Sequence, residues 1–237
     1  MKYLFKLGHQ PEISKAEIFS LIQMQDKWCG VASENKDRLI LTSEQIEPKK
    51  LMQRLGGTIY IGEEIDPKGE DLQEQIVNYL SENSNDTKID FAVTGEGAEE
   101  MLMPIKNNLQ KSGRSARFVK LENTASIKYN NLVEQGSHIN IVDDELYVTK
   151  AIQPFEQMKR HGRDRPKADP KSGMLPPKLA RIMLNLAKVQ PGENLLDPFC
   201  GSGTILMEAV SIGLDEVTGN DKEQKAVNSS RENLEWL

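Results

Sequence analysis

The stretch Asp197-Pro198-Phe199-Cys200-Gly201-Ser202-Gly203-Thr204 holds the residues best suited to chemistry in this chain. Two glycines one residue apart allow a left-handed turn and a close approach of backbone to ligand. Set between a strand and a helix, such a turn aims unpaired amides at a molecule lying on the carboxyl edge of a parallel sheet. Asp221 follows where the next strand would end, and a carboxylate there can accept hydrogen bonds from both hydroxyls of a ribose. A phosphate-binding P-loop is excluded, since no Gly-Lys-Ser/Thr follows at the required spacing. The pattern calls for a nucleoside-containing ligand.

Hydrophobic spacing supplies the elements that must position these residues. Asn194–Asp197 reads as a short strand, Thr204–Ile212 as a helix closed by Gly213, Glu216–Asp221 as a strand, and Lys222–Leu234 as a helix. Before them, Leu179, Ile182, Met183 and Leu186 mark a helix that starts after Pro176-Pro177. This is the opening β-α-β-α of a parallel sheet. Between Pro154 and Pro177 no periodicity survives, and Arg160-His161-Gly162-Arg163-Asp164-Arg165-Pro166-Lys167 reads as a linker or ordered loop.

The first sixty residues read β-α-β-α-β, with strands at Tyr3–Leu7, Arg38–Thr42 and Thr58–Gly62. Ser14-Lys15-Ala16-Glu17 has the form of a capping box ahead of Ile18, Leu21 and Ile22, Pro48 suits a helix first turn, and Gly56-Gly57 stops that helix. A second unit follows: a helix on Leu72, Ile76 and Leu80, a strand Lys88–Thr94, and a helix Glu99–Lys111 that Pro104 should kink or restart. Then come a strand Ala116–Leu121, a helix Ser126–Gln135, and strands His138–Val142 and Leu146–Gln153 joined by a turn at Asp143-Asp144.

Net charge is -6, from 30 basic and 36 acidic residues, but the average hides a partition. Residues 1–103 carry -8, residues 104–188 carry +8, and residues 189–237 carry -6. A polyanion senses charge within about 8–10 Å in physiological salt, so the basic middle segment outweighs the total. Lys106, Lys111, Arg114, Arg117 and Lys120 form one basic cluster; Arg160, Arg163, Arg165 and Lys167 form another. Phosphate contact is the expected role of both. No apolar run approaches the ~18–20 residues that span a membrane, so no membrane partner is expected. Lys6 interrupts any export signal, and two cysteines are too few for a disulfide framework or a zinc site, which points to the cytoplasm. His9, His138 and His161 are scattered, so no metal is expected. Cys200 is expected to pack rather than react.

With these residues assembled, the sequence resembles a known family. The segment 197–204 resembles motif I of class I S-adenosylmethionine-dependent methyltransferases, in the Asp/Asn-Pro-Pro-Tyr group that methylates exocyclic amines. Lys171-Ser172-Gly173-Met174-Leu175-Pro176-Pro177-Lys178-Leu179-Ala180 is similar to that group's motif X, which helps hold the methionine end of the cofactor. Asn220-Asp221, with Asn233-Leu234-Glu235-Trp236-Leu237, is similar to the second strand and helix. Tyr3-Leu4-Phe5-Lys6-Leu7-Gly8, Pro11, Ser14 and Ala16-Glu17 are similar to the N-terminal ferredoxin-like domain of archaeal and eukaryotic tRNA guanine-N2 methyltransferases, and the middle matches a THUMP domain by position and strand order.

The resemblance implies an α/β and α+β chain in four parts. These are a ferredoxin-like domain over 1–60, a THUMP RNA-binding domain over 61–153, a basic linker over 154–175, and the first half of a Rossmann-like methyltransferase domain over 176–237. It implies S-adenosylmethionine held by Met174, Leu175, Pro176, Asp197, Pro198, Phe199, Cys200, Gly201, Ser202, Gly203, Thr204, Asp221 and Lys222. The implied partner is tRNA and the implied target a guanine N2, for the family that of position 10. Lys222 departs from the apolar residue common beside the adenine. No Asp/Asn-Pro-Pro-Tyr/Phe occurs in the chain, so it is expected to be truncated before that motif, with no catalytic residue of its own. A non-catalytic THUMP RNA-binding protein and an adenine-N6 methylase of DNA or ribosomal RNA are the alternative expectations.

Overall fold

The computed structural model describes residues 1–83, 88–168 and 173–237. Its elements run β1 (Lys2–Leu7), α1 (Pro11–Gln23), β2 (Cys29–Glu34), β3 (Arg38–Ser43), α2 (Pro48–Arg54), β4 (Thr58–Ile65), α3 (Leu72–Asn83) and β5 (Lys88–Gly95). They continue with α4 (Ala98–Lys111), β6 (Ser115–Phe118), α5 (Thr124–Tyr129), β7 (His138–Val142), β8 (Glu145–Ile152) and α6 (Phe155–Lys159), which passes into a π-helical turn at Arg160–Asp164. The last are α7 (Pro177–Leu186), β9 (Leu195–Asp197), α8 (Thr204–Ser211), β10 (Val217–Gly219) and α9 (Gln224–Trp236). These fall into two compact units that interleave along the chain. Unit 1 takes residues 1–6, 29–49 and 59–152; unit 2 takes 7–28, 50–58 and 153–237.

Unit 1 is built on a sheet that, among the described residues, has eight strands in the order β2-β3-β1-β4-β8-β7-β5-β6. β5 pairs parallel with both β6 and β7, while β7–β8, β4–β8, β1–β3 and β2–β3 are antiparallel. Ile76, Leu80, Phe91, Ile105, Leu109, Ile139 and Val148 close its main apolar cluster. At the β7–β8 turn Asp143 and Asp144 both take positive φ, 52° and 61°, as the two-residue hairpin turn demands.

Unit 2 contains the short parallel pair β9–β10 with α8 crossing between them, in the register Val217–Leu195 to Gly219–Asp197. Leu184, Ala209 and Leu214 form its apolar core, with Val189, Leu195, Ile205 and Val217 against them. A charged network is buried beside it. Arg181 donates from Nε to Glu208 Oε2 at 2.9 Å and from Nη1 to the Gln53 carbonyl at 2.8 Å. His161 Nδ1 lies 2.7 Å from Glu208 Oε1, and since an ionised carboxylate only accepts, Nδ1 carries the hydrogen. Glu17 accepts from the amides of Gly56 and Gly57 and from Asn185 Nδ2 at 2.7–2.8 Å.

Several expectations are corrected. Helix α1 begins at Pro11, three residues ahead of the capping box. Ser14 therefore donates to the carbonyls of Gln10 and Gly57, and Glu17 reaches Gly56 and Gly57 rather than its own helix end. Strand β2 was not expected: its sequence Cys-Gly-Val-Ala-Ser-Glu is a half-exposed edge strand with a bulge between Val31 and Ser33, and lacks clear alternation. Helix α4 runs unbroken through Pro104. Helix α5 starts earlier than expected, at an Asn123 cap whose side chain accepts from the Ser126 amide, and ends by Asn130, with Asn131 at a φ of 57°. The aperiodic segment after Pro154 is not loop alone, for it forms α6 and the π-helical turn.

Candidate functional site

The turn between β9 and α8 is shaped by its glycines and by its neighbour strand. Gly203 has a φ of 84°, and a Cβ there would sit 2.4 Å from Ser230 Oγ on α9, so glycine is required twice over. Gly201 has a φ of 53°, and a Cβ there would point into open space, so its bare Cα keeps room at the turn's exposed side. The Asn220 amide donates to the Asp197 carbonyl, and the Cys200 amide donates to the Asn220 carbonyl, each at 2.8 Å. The strand end of β10 is thereby laced to the turn.

This lacing fixes both carboxylates. Asp197 Oδ1 accepts from the Phe199 amide at 3.1 Å, a local turn that folds the side chain back over its own loop. Asp221 accepts from Glu223 N at Oδ1 and from Gly201 N at Oδ2, each at 3.0 Å. Those two amides hold its carboxyl below the usual carboxylate range. Each oxygen keeps a lone pair for a further donor. Cys200 is buried and its thiol is pushed up by that burial, which suits a packing residue and not a thiolate nucleophile.

A cleft of about 240 Å³ lies over the turn, lined by Gly173, Met174 and Leu175 together with Asp197, Phe199, Cys200, Gly201, Ser202, Thr204 and Ile205. Two separate stretches of sequence thus meet at one cavity. Phe199 is 84% exposed at its rim. Pro176 caps α7 instead of lining the cavity, Gly203 and Asp221 are not among the lining residues, and Pro198 and Lys222 are exposed outside it. Lys171 and Ser172 lie outside the described residues. Gly173, inside the segment similar to motif X and with a φ of 77°, and Ile205 line the cavity although neither was among the cofactor residues expected from sequence.

The basic residues are distributed over both units. In unit 1, Lys111, Arg117 and Lys120 are exposed, and Lys106 and Arg114 are half-buried. Lys106 places its ammonium 6.0 Å from the Phe118 ring centroid. Arg117 is held by Asp90 through two hydrogen bonds of 3.0 and 2.6 Å, which offsets part of its charge. In unit 2, Arg160 stacks over Trp236 at 4.6 Å, Lys167 pairs with Glu232 at 3.2 Å, and Arg163 is exposed. Arg165 corrects its expected role. It is 3% exposed, and its guanidinium donates to Thr204 Oγ1 at 2.9 Å and Ser202 Oγ at 2.8 Å, so it faces the glycine turn and not a polyanion. Nothing in the aperiodic basic run separated it from its neighbours.

Among the described residues no group of three or more His, Cys, Asp or Glu could hold a metal ion, and no helix is long and apolar enough to cross a membrane.

Comparison with known proteins matches the same part of the chain. Residues 164–236 match the family model described as RMKL-like, methyltransferase domain. A tRNA (guanine(10)-N2)-dimethyltransferase of Methanothermobacter thermautotrophicus is 39% identical over 100 residues, 40% of this chain and 28% of that protein. The Methanocaldococcus jannaschii protein of the same name is 28% identical over 250 residues, 96% of this chain and 69% of that protein. The crystal structure of TrmN from Thermus thermophilus aligns with all of this chain and 72% of its own at a TM-score of 0.54 and 20% identity, which shows a shared fold. Residues 164–236 are thus similar to a methyltransferase domain, and both of these curated relatives are named as tRNA (guanine(10)-N2)-dimethyltransferases.

Proposed function

We propose that this chain belongs to an S-adenosylmethionine-dependent methyltransferase that modifies the exocyclic N2 of a tRNA guanine in the cytoplasm, at position 10. The observation that carries the reading is the cleft in which Met174 and Leu175 meet the turn 197–204, with Asp221 bonded to the turn's Gly201 amide. Its donor set fits that cofactor. Two carboxylates, Asp197 and Asp221, repel phosphate but suit a ribose diol and a cationic sulfonium. The space over Gly201 is what a Cβ would fill, so the backbone there can lie close to an adenosyl group.

When bound, S-adenosylmethionine supplies a methyl group already activated on sulfur, so no metal is required. The chain's own residues then bind and orient. Asp221, beside the cleft through its bond to the Gly201 amide, has one acceptor site free on each oxygen for the ribose hydroxyls, and Met174 and Leu175 add apolar lining. The guanine N2 lone pair is delocalised into its ring, so transfer depends mainly on position and on a base taken out of its stack. Residues 61–153, read as a THUMP domain behind a ferredoxin-like 1–60, together with the exposed Lys111, Lys120, Arg160 and Arg163, supply the grip on the tRNA backbone. The relatives' names and this charge distribution together support that substrate.

Mass spectrometry of tRNA nucleosides tests the proposal. Deleting the gene in its own organism should remove N2-methylated guanosine at one tRNA position. Unchanged guanine methylation, or loss of N6-methyladenine instead, would overturn it.

A further inference from the structure

The segment Arg160–Lys167 points its cations in two directions. Arg160, Arg163 and Lys167 are exposed, whereas Arg165 is buried. Its Nη1 donates to Thr204 Oγ1 at 2.9 Å and lies 3.5 Å from Met207 Sδ; its Nη2 donates to Ser202 Oγ at 2.8 Å. Its Nε has no partner among the described residues, so both of its oxygen contacts go to the glycine turn. Two residues on, the Lys167 amide donates to Asn233 Oδ1 at 2.9 Å. The Asn233 amide group donates in turn to the carbonyls of Ser202, at 2.9 Å, and Lys167, at 3.3 Å. The turn is thus held by Arg165 through two side-chain hydroxyls and by Asn233 of α9, itself bonded to Lys167, through the Ser202 carbonyl.

We propose that Arg165 is a positioning residue for the cofactor cleft: through Ser202 and Thr204 it fixes the turn that lines the cavity, and Lys167 with Asn233 braces the same turn through its backbone. A planar guanidinium suits this task, because its fork reaches two hydroxyls at once and stays charged when buried. Glu208, which binds Arg181 and His161, supplies the nearby negative charge. Without the fork, the glycines at 201 and 203 leave the turn free to sample other conformations, and the cleft must be reassembled each time a ligand binds. The inference rests on the adenosyl reading of the cleft for its ligand but not for its mechanics.

The experiment titrates S-adenosylhomocysteine into the full chain by calorimetry and follows amide hydrogen exchange at residues 201–204. Arg165→Met should weaken binding by about tenfold or more and speed exchange at the turn. Arg165→Lys, which keeps the charge and loses the fork, should fall between. In a cycle with Ser202→Ala, the double variant should bind no more weakly than Arg165→Met alone, because both changes remove one linkage. Wild-type affinity in Arg165→Met, additive losses in the cycle, or unaltered exchange at 201–204 would overturn the inference. If Arg165→Met does not fold, Arg165→Lys carries the same test, with wild-type affinity and exchange as the refuting result. A wild-type chain that fails to bind S-adenosylhomocysteine refutes the cofactor reading instead, and the exchange measurement then decides the role of Arg165 by itself.

Discussion

In unit 1 a closed ring of neutral hydrogen bonds joins four buried or half-buried side chains, whereas in unit 2 a buried polar network is centred on charged side chains. The ring can be followed atom by atom. Thr94 donates to Asn140 Oδ1 at 2.9 Å and Asn140 Nδ2 donates to Thr149 Oγ1 at 3.1 Å; Thr149 lies 2.8 Å from His138 Nδ1, and His138 Nε2 is 3.4 Å from Thr94. It closes only if His138 accepts at one nitrogen and donates at the other, as the neutral imidazole does. Burial enforces that state by pushing the His138 pKa down to about 3. The ring's members come from the adjacent strands β5, β7 and β8. The charged set of unit 2 draws on α1, α2, the π-helical turn, α7 and α8, and so ties together stretches far apart in sequence. A neutral ring satisfies neighbours locally; a buried ion network fixes which distant segments belong together.

The most severe way to break this contrast is Glu208→Ala, which leaves the fully buried Arg181 without its carboxylate partner. Unfolding in denaturant should show a loss of about 3–5 kcal/mol, with unit 2 amides most affected in hydrogen exchange. Asn140→Ala opens the neutral ring and strands Tyr60, whose hydroxyl donates to Asn140 Oδ1 at 2.8 Å. The expected loss is about 1–3 kcal/mol, seen in unit 1 amides; a loss as large as that of Glu208→Ala would erase the distinction.

Acid sharpens the comparison through slopes of opposite sign. Between pH 6.5 and about 3 an unfolded chain takes up a proton that native His138 refuses, so unit 1 weakens as pH falls through that window, by at most about 1.4 kcal/mol per unit. Burial holds the Glu17 carboxyl above its ordinary 4.5, so the native state keeps that proton longer than the unfolded chain does. Its contribution is full below 4.5 and is lost as pH rises through the native value. Exchange rates against pH in His138→Gln and Glu17→Gln should flatten one slope each, and a slope that persists in its variant would refute the assignment.

Much of this was legible in the sequence, and the omissions share a cause. The β9-turn-α8-β10 order, the Asp143-Asp144 hairpin turn and the main helices follow from periodicity and glycine placement, which are local signals. The cleft was legible as two motifs, though not as one cavity. What escaped depends on partners distant in the chain. Glu17 has the spacing of a capping box, yet it serves Gly56, Gly57 and Asn185. Arg165 stands in a basic run like any surface arginine and is spent on Ser202 and Thr204. Strand β2 escaped for another reason: an edge strand with a bulge has little apolar alternation to reveal it.

The interleaving of the two units along the chain bears on the order of events during synthesis. Ser20 on α1 donates to the Asn185 carbonyl across 165 positions, and no contact of that span can form until α7 has left the ribosome. Helix α1 must therefore wait, its inward face bearing both apolar side chains and the carboxylate of Glu17, while most of unit 1 is translated. Such delayed, long-range closure slows folding and leaves a sticky surface uncovered in the meantime. Nascent chains from which α7 has not yet emerged should lean on chaperones more heavily than those from which it has.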